Sequence, residues 1–162
     1  MKKITLITAL LIGTYSFAQL KINEVDADQT GTDTTEFLEL LSSTPNFSMD
    51  GYIVVFYNGS DDLSYTTVDL NGFSTDANGF FIIGSDATPG VDIMLGPDNT
   101  IQNGADAIAI YQDTAANFPN GTAVTSNNLV DAIVYGTSDD DDLELLAGLN
   151  QTTQWDENMN GN

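Results

Sequence analysis

The possible folds of this chain are limited above all by a repeated alternation of short apolar runs and turn residues. Between residues 20 and 135, runs of β-branched, aliphatic or aromatic residues are followed by glycine, asparagine or aspartate. Such runs favour strands because their side chains pack on a pleated surface, and Asn-Gly or Asp-Gly pairs favour turns. No window of residues 19–162 keeps a sustained 3.6-residue hydrophobic period. We therefore predict an all-β fold, an antiparallel β-sandwich of about seven to nine short strands.

The strand pattern is carried by residues 20–25, 36–41, 51–59, 63–70, 80–84, 91–95, 105–111 and 129–135. The run at 51–59 is continuously apolar between two glycines, which predicts a strand covered on both faces. In 105–111 two isoleucines share a face with an aspartate, and the alanines on the other face require a close or bulky neighbour. Residues 91–95 end at Gly96-Pro97 and predict an edge strand.

One short segment has helical spacing. Four aspartates at 139–142 precede Leu143, Leu146 and Ala147, and Gly148 is placed to end the helix. Aspartates at a helix start accept hydrogen bonds from free backbone N–H groups and complement the helix dipole. We predict a short, capped helical turn near the C-terminus, with a metal site at the aspartates as the alternative.

The first residues have the pattern of a secretory signal. Lys2 and Lys3 give a positive start, residues 4–12 are apolar, and small residues stand at 16 and 18, which signal peptidase reads. We predict cleavage after Ala18 and a secreted or cell-surface protein, without a membrane span because the apolar run is too short. The predicted organisation is a signal peptide at 1–18, one sandwich domain at 19–149 and a polar tail, interpreted as a truncated linker, at 150–162.

The amino-acid composition limits which partners the protein can bind and which catalytic or metal chemistry it can perform. The chain has 24 acidic residues, and without the signal segment Lys21 is its only basic residue. A surface this acidic repels nucleic acid and anionic lipid and attracts cations, so we expect no direct nucleic-acid binding. Cysteine and histidine are absent, which excludes disulfides, familiar zinc sites and Ser-His-Asp or Cys-His catalysis. Carboxylate chemistry and hard-metal chemistry remain.

The loop between the first two predicted strands carries a metal-binding pattern. Residues 26–31 read Asp-x-Asp-x-Thr-Gly, the start of an EF-hand-type calcium loop, in which alternate oxygens and a glycine let the backbone wrap the ion. Two further carboxylates follow, but the position of the closing glutamate falls on Phe37. The predicted calcium ligands are Asp26, Asp28, Asp33 and Glu36. A solvated loop held by Asx turns is the open alternative.

A second stretch near the C-terminus has half of the same pattern. Residues 156–161 read Asp-x-Asn-x-Asn-Gly, but no closing acid follows. A polar linker is the alternative interpretation.

Strand alternation gives Glu24 an unusual predicted position, on one face with Leu20 and Ile22. If that face is the core, the carboxylate needs hydrogen bonds from backbone N–H groups or a bulge, because an unpaired buried charge is costly. A paired-carboxylate hydrolase built from Glu24, Glu36 or Glu39 is a further hypothesis.

Five motifs together resemble a known family. They are Ile22-Asn-Glu-Val, Glu36-Phe-Leu-Glu-Leu, Leu70-Asn-Gly-Phe with Gly79-Phe-Phe-Ile-Ile-Gly, Ala105-Asp-Ala-Ile-Ala-Ile-Tyr and Leu129-Val-Asp-Ala-Ile-Val-Tyr-Gly. In this order they resemble the strands of the lamin-tail domain, in particular its bacterial secreted branch, over residues 20–149. The resemblance implies an immunoglobulin-like sandwich without enzymatic activity of its own. It also implies a fused partner, a secreted nuclease of the endonuclease/exonuclease/phosphatase type or a cell-surface sorting segment, beyond the stretch that starts at Trp155.

Three functional hypotheses follow. The first is a secreted, non-catalytic lamin-tail-like accessory or adhesion module for a protein or cell-surface partner, with calcium as a candidate stabilising ion. The second is the N-terminal portion of a secreted nuclease or phosphodiesterase whose catalytic domain is absent from this chain. The third is a carbohydrate-binding module, which needs a row of exposed aromatics on one sheet face. We instead expect the aromatics to be core residues, namely Tyr52, Phe56, Tyr57, Phe80 and Phe81.

Overall fold

The computed structural model describes residues 19–157. Along this part of the chain the regular elements are β1 (Lys21–Asp26), β2 (Phe37–Leu41), β3 (Tyr52–Asn58), β4 (Leu63–Asp69), β5 (Phe80–Ser85), β6 (Ile93–Gly96), β7 (Asp106–Gln112), β8 (Leu129–Gly136), α1 (Leu143–Gly148) and β9 (Gln154–Asp156). A 3-10 turn, Ala115–Asn117, lies between β7 and β8.

The strands form two packed sheets, with strand orders β1-β2-β5-β6 and β4-β3-β7-β8-β9. The predicted all-β sandwich with one short helical turn near the C-terminus is therefore confirmed. Neighbouring strands are antiparallel except at two edges, where β6 lies parallel to β5 and β9 lies parallel to β8. The parallel β8–β9 pair is possible because α1 supplies the crossover between the two strands. β6 is also the edge strand that the sequence predicts.

Strand β3 is buried on both faces, as its continuous apolar run predicts. One face packs between the sheets in a core that includes Tyr52, Val54, Phe56, Leu38 and Leu40. The other face packs in a second cluster, which includes Ile53, Val55, Tyr57 and Tyr111. Since complete burial of each large apolar side chain contributes roughly 1.5–3 kcal/mol, this strand is the centre of the fold.

Helix α1 covers the alanine face of β7. Leu145, Leu146 and Leu149 are buried in the same cluster as Ala107 and Ala109, so the bulky neighbour that the alanines require is a helix. The helix begins as predicted, because the side chain of Asp142 accepts a hydrogen bond of 2.8 Å from the Leu145 N–H.

A β-bulge changes the predicted face of Glu24. Ile22 lies opposite Leu40, but Glu24 lies opposite Glu39, so Asn23 is an extra residue in β1. The extra residue reverses the alternation, and Glu24 is exposed while Leu20 is fully buried. Simple alternation therefore assigns Glu24 to the wrong face, and the bulge, one of the two answers that the sequence offered, removes the need for buried partners.

Some predicted segments lie outside the described residues. These are the signal peptide at 1–18 and residues 158–162, which hold most of the second calcium pattern. Within the segment predicted as a polar tail, the structure adds strand β9. Across residues 19–157, no helix has both the length and the apolar character needed to span a membrane.

Candidate functional site

Glu36, the last of the predicted calcium ligands, is fully buried just before β2. One carboxylate oxygen accepts hydrogen bonds from the Thr100 N–H at 2.6 Å and the Ser85 hydroxyl at 3.1 Å. The other accepts one from the Ile101 N–H at 3.3 Å. Burial raises the pKa of this carboxyl, and these hydrogen bonds oppose that shift. Both oxygens of Glu36 thus bind the chain itself and fix the loop after β6.

Asp33 and Gln29 hold the predicted calcium loop together from within. The Gln29 N–H donates to the Asp33 carboxylate at 2.8 Å, and the Gln29 side-chain oxygen accepts from the Thr35 N–H and hydroxyl at 3.1 and 2.8 Å. The Asp33 carbonyl accepts from the Asn99 N–H at 2.9 Å. These contacts order the loop through its own side chains.

The structure instead brings Glu157 to Asp26 and Asp28. One oxygen of Glu157 accepts a hydrogen bond of 3.0 Å from the Ala27 N–H, and the Asp28 N–H also donates to this carboxylate. The second Glu157 oxygen and one Asp26 oxygen are buried and accept no hydrogen bond from any described residue. We call Asp26, Asp28 and Glu157 the carboxylate cluster. It holds half-buried negative charge that the donors of residues 19–157 leave partly unsatisfied.

The pKa values in the carboxylate cluster reflect this arrangement. Burial is the largest cause of the raised pKa of Asp26, and repulsion from Asp33 and Asp28 adds to it. Burial likewise raises the pKa of Glu157, with repulsion from Asp26 and Asp28. A cation or a shared proton would relieve both effects. Within residues 19–157, no three acidic side chains converge closely enough to form a ready metal cage.

Sequence reasoning selected Asp26 and Asp28 but missed Glu157 as their neighbour. Glu157 stands 130 positions after Ala27, and it comes close because β9 pairs with β8, beside which β1 passes. The Asp-x-Asn-x-Asn-Gly pattern at 156–161 marked the right segment. Nothing in the sequence connected that segment to the first loop.

A larger acidic cavity of about 650 Å³ opens at the loops that follow β3 and β6. Asp33, Asp106, Asp139 and Asp140 are among its lining residues. Asp106 is buried, and its two oxygens accept hydrogen bonds from the Gly59 N–H at 2.9 Å and the Gly104 N–H at 3.1 Å. Burial raises the Asp106 pKa, and these two bonds oppose the shift. The cavity therefore favours a cation and disfavours an anion.

The four-aspartate run thus has two roles. Asp142 caps α1, as predicted. Asp139 and Asp140 line the acidic cavity. The predicted cap and the metal-site alternative therefore fall on different members of the run, and the second remains a prediction.

A smaller groove of about 300 Å³ lies where β1 passes β8 and β9. Trp155, on β9, is 60% exposed. The groove is lined by Asn23, Glu24, Val25, Ile133, Tyr135, Trp155 and Glu157. We call it the seam groove. It combines an apolar surface with two carboxylates.

Most of the predicted core aromatics are buried. Tyr52, Phe56, Tyr57 and Phe81 are in the core, and Phe80 is half-buried. The exposed large aromatics of residues 19–157 are Phe73 and Trp155. Phe73 follows β4, and Trp155 lies on β9, at the opposite edge of the same sheet. The described part of the chain therefore lacks the aromatic row that a carbohydrate-binding module needs.

Of the three candidate hydrolase carboxylates, only two come together, at a groove of about 240 Å³ that both line. Glu24 and Glu39 are register partners on β1 and β2. Glu36 precedes Phe37 and is buried on the core side of the sheet with Leu38 and Leu40. A pair that includes Glu36 would therefore have to act through the sheet.

No protein-family model matches the chain, and no curated protein matches it. The lamin-tail resemblance therefore stays a prediction, supported by the motifs quoted above.

Proposed function

We propose that the protein is a secreted, non-catalytic binding or accessory module of the lamin-tail type. One observation carries this proposal: a well-packed sandwich presents an acidic cavity of about 650 Å³ whose buried carboxylate, Asp106, is already bound by two backbone N–H groups. A carboxylate held in this way sets the potential of a binding site and is poorly placed to attack a substrate. The chain also has no histidine or cysteine to activate a nucleophile.

We further propose that calcium stabilises the module through the carboxylate cluster. Asp26 and Asp28 come from the predicted calcium loop, and the ion would draw Glu157 towards them as the closing acid that the loop lacks. The orphan oxygens of Asp26 and Glu157 support this assignment, since calcium prefers carboxylate and carbonyl oxygens. Asp33 and Glu36, both predicted as ligands, would then act by shaping the loop.

Thermal unfolding of the whole chain in calcium and in chelator tests both parts. Calcium should raise Tm by an amount set by its concentration relative to Kd. Glu157→Gln should abolish most of this increase, whereas the control Glu144→Gln, on the exposed side of α1, should retain it. Equal melting temperatures in calcium and chelator would remove the calcium proposal.

The competing proposal is the N-terminal portion of a secreted nuclease or phosphodiesterase. The observation in its favour is that β9 and Glu157 fasten the C-terminal segment to the sandwich edge, where a following domain would be held. Hydrolysis of bis-p-nitrophenyl phosphate by the isolated chain in Mg²⁺ or Ca²⁺ tests the non-catalytic role. Turnover by this chain alone would contradict it.

A further inference from the structure

The seam groove continues the inner face of the five-stranded sheet beyond the core. Trp155 lies opposite Tyr135 in the parallel β8–β9 pair, so the two side chains share one face of the sheet. Tyr135 is buried in the inter-sheet core, with Ile133 packed against it. Trp155 is the next aromatic along this row, but the four-stranded sheet ends at β1 and leaves it uncovered. The groove thus has an apolar floor and one exposed indole wall.

The rim of the seam groove is acidic. Glu24 lies at the rim and is exposed because of the bulge at Asn23. Glu157 lines the other side, and one of its oxygens accepts no hydrogen bond from residues 19–157. The only basic side chain of residues 19–157 is Lys21. Its positive charge opposes the rise that burial causes in the pKa of Asp131 on β8. An indole face beside two carboxylates attracts a cation and repels an anion.

We infer that the seam groove binds an arginine side chain presented by a basic partner protein. The guanidinium stacks on the Trp155 indole and donates to Glu24. The aliphatic stem covers Val25 and Ile133. A planar, weakly hydrated guanidinium suits this combination of aromatic face and carboxylates better than a lysine ammonium does.

Residues 1–162 cannot supply the occupant. This chain contains no arginine, and its lysines are Lys2, Lys3 and Lys21. A second copy therefore has no guanidinium to offer, and neither do residues 158–162. The inference deepens the proposed binding role and rests on it, because it names the chemistry of the partner.

The intrinsic fluorescence of the whole chain tests the inference, because Trp155 is the only tryptophan. The probes are a Gly-Arg-Gly-Arg-Gly peptide, the same peptide with citrulline for arginine, and the neutral sugar maltohexaose. We expect the arginine peptide to change the Trp155 emission in a saturable, salt-sensitive manner. The citrulline peptide should leave the emission unchanged, because it keeps the shape and loses the charge.

Two variants localise the effect. Glu24→Gln should weaken binding of the arginine peptide about five-fold, while Glu144→Gln, which makes the same charge change on α1, should leave it unchanged. Both positions are exposed, so neither variant should fail to fold. Equal binding of the citrulline peptide, a response to maltohexaose only, no saturable response, or equal weakening by both variants would overturn the inference. Glu24 lies outside the carboxylate cluster, so loss of this binding and loss of the calcium effect are separate outcomes.

Discussion

Glu36 and Glu157 are chemically identical side chains that the fold treats in opposite ways. Both are acids whose pKa is raised by burial. Glu36 has donors on both oxygens, from Ser85, Thr100 and Ile101. Glu157 accepts hydrogen bonds from the Ala27 and Asp28 N–H groups, but one of its oxygens has no donor among residues 19–157. A buried carboxylate that the chain satisfies completely serves the fold, whereas one left half-satisfied is available to a proton, an ion or a partner.

The sharpest test of this contrast is the removal of the satisfied carboxylate. Glu36→Ala should lower the free energy of unfolding by about 3 kcal/mol, because two buried N–H groups and a hydroxyl lose their acceptor and a cavity remains. Urea denaturation measures the loss. The matched control is Glu39→Ala on the outward face of β2, where the carboxylate accepts only an exposed bond from Asn23 and removal should cost well under about 1 kcal/mol. Equal losses in the two variants would break the contrast.

Asp106, like Glu36, accepts hydrogen bonds on both carboxylate oxygens, although it lines a cavity. Asp106→Asn should cost about 1.5 kcal/mol, because the N–H of either Gly59 or Gly104 loses its acceptor. The control Asp140→Asn removes one charge from the same cavity at an exposed position and should have little effect on urea denaturation. If Asp140→Asn were as destabilising, the cost would reflect cavity charge and not the two hydrogen bonds.

The elements of the fold were largely predictable because their signals are local. The apolar run of β3, the alanine face of β7 and the aspartate cap of α1 each lie within one short segment, and pattern and turn chemistry are enough to find them. Strand alternation, a local argument of the same kind, assigns each side chain to one face of its strand. It failed for Glu24 because the bulge at Asn23 has no distinct sequence signal.

The candidate sites were less predictable because they depend on long-range pairing. Glu157 joins Asp26 only when β9 lies beside β8, and β9 is three residues long. The acidic cavity likewise combines Asp33 and Asp139, from two loops, with Asp106 at the start of β7. Residue type indicated cation chemistry in both cases. The partners of each carboxylate could be identified only from the arrangement of the strands in the folded protein.

The half-satisfied carboxylate should respond in the opposite direction to Glu36. In chelator, Glu157→Gln should raise the free energy of unfolding by about 0.5 kcal/mol, because it removes a buried charge and its repulsion by Asp26 and Asp28. The amide still accepts from the Ala27 N–H. Urea denaturation beside Glu144→Gln, which should be close to neutral, measures the difference. Destabilisation by Glu157→Gln would mean that the Glu157 carboxylate stabilises the fold, as that of Glu36 does.

The smallest expected effect is a pH dependence that distinguishes the cluster from the rest of the protein. The ordinary carboxyl pKa values are 3.8 for Asp26 and 4.5 for Glu157, and the folded chain raises both. Between the ordinary and the raised values the folded state binds more protons than the unfolded state, so stability falls as pH rises through that window. Asp50, Asp76 and Asp113 have lowered pKa values, and their contribution is lost only at pH below the ordinary aspartate value.

Urea denaturation in chelator at about pH 5 and about pH 7 should therefore show a more stable protein at the lower pH. The double variant Asp26→Asn with Glu157→Gln should reduce this difference. Glu36 has a raised pKa in both proteins, and general charge repulsion also weakens in both on acidification, so the change in slope isolates Asp26 and Glu157. An unchanged slope would mean that the two orphan oxygens carry no shared electrostatic strain, and the contrast with Glu36 would then rest on hydrogen bonds alone.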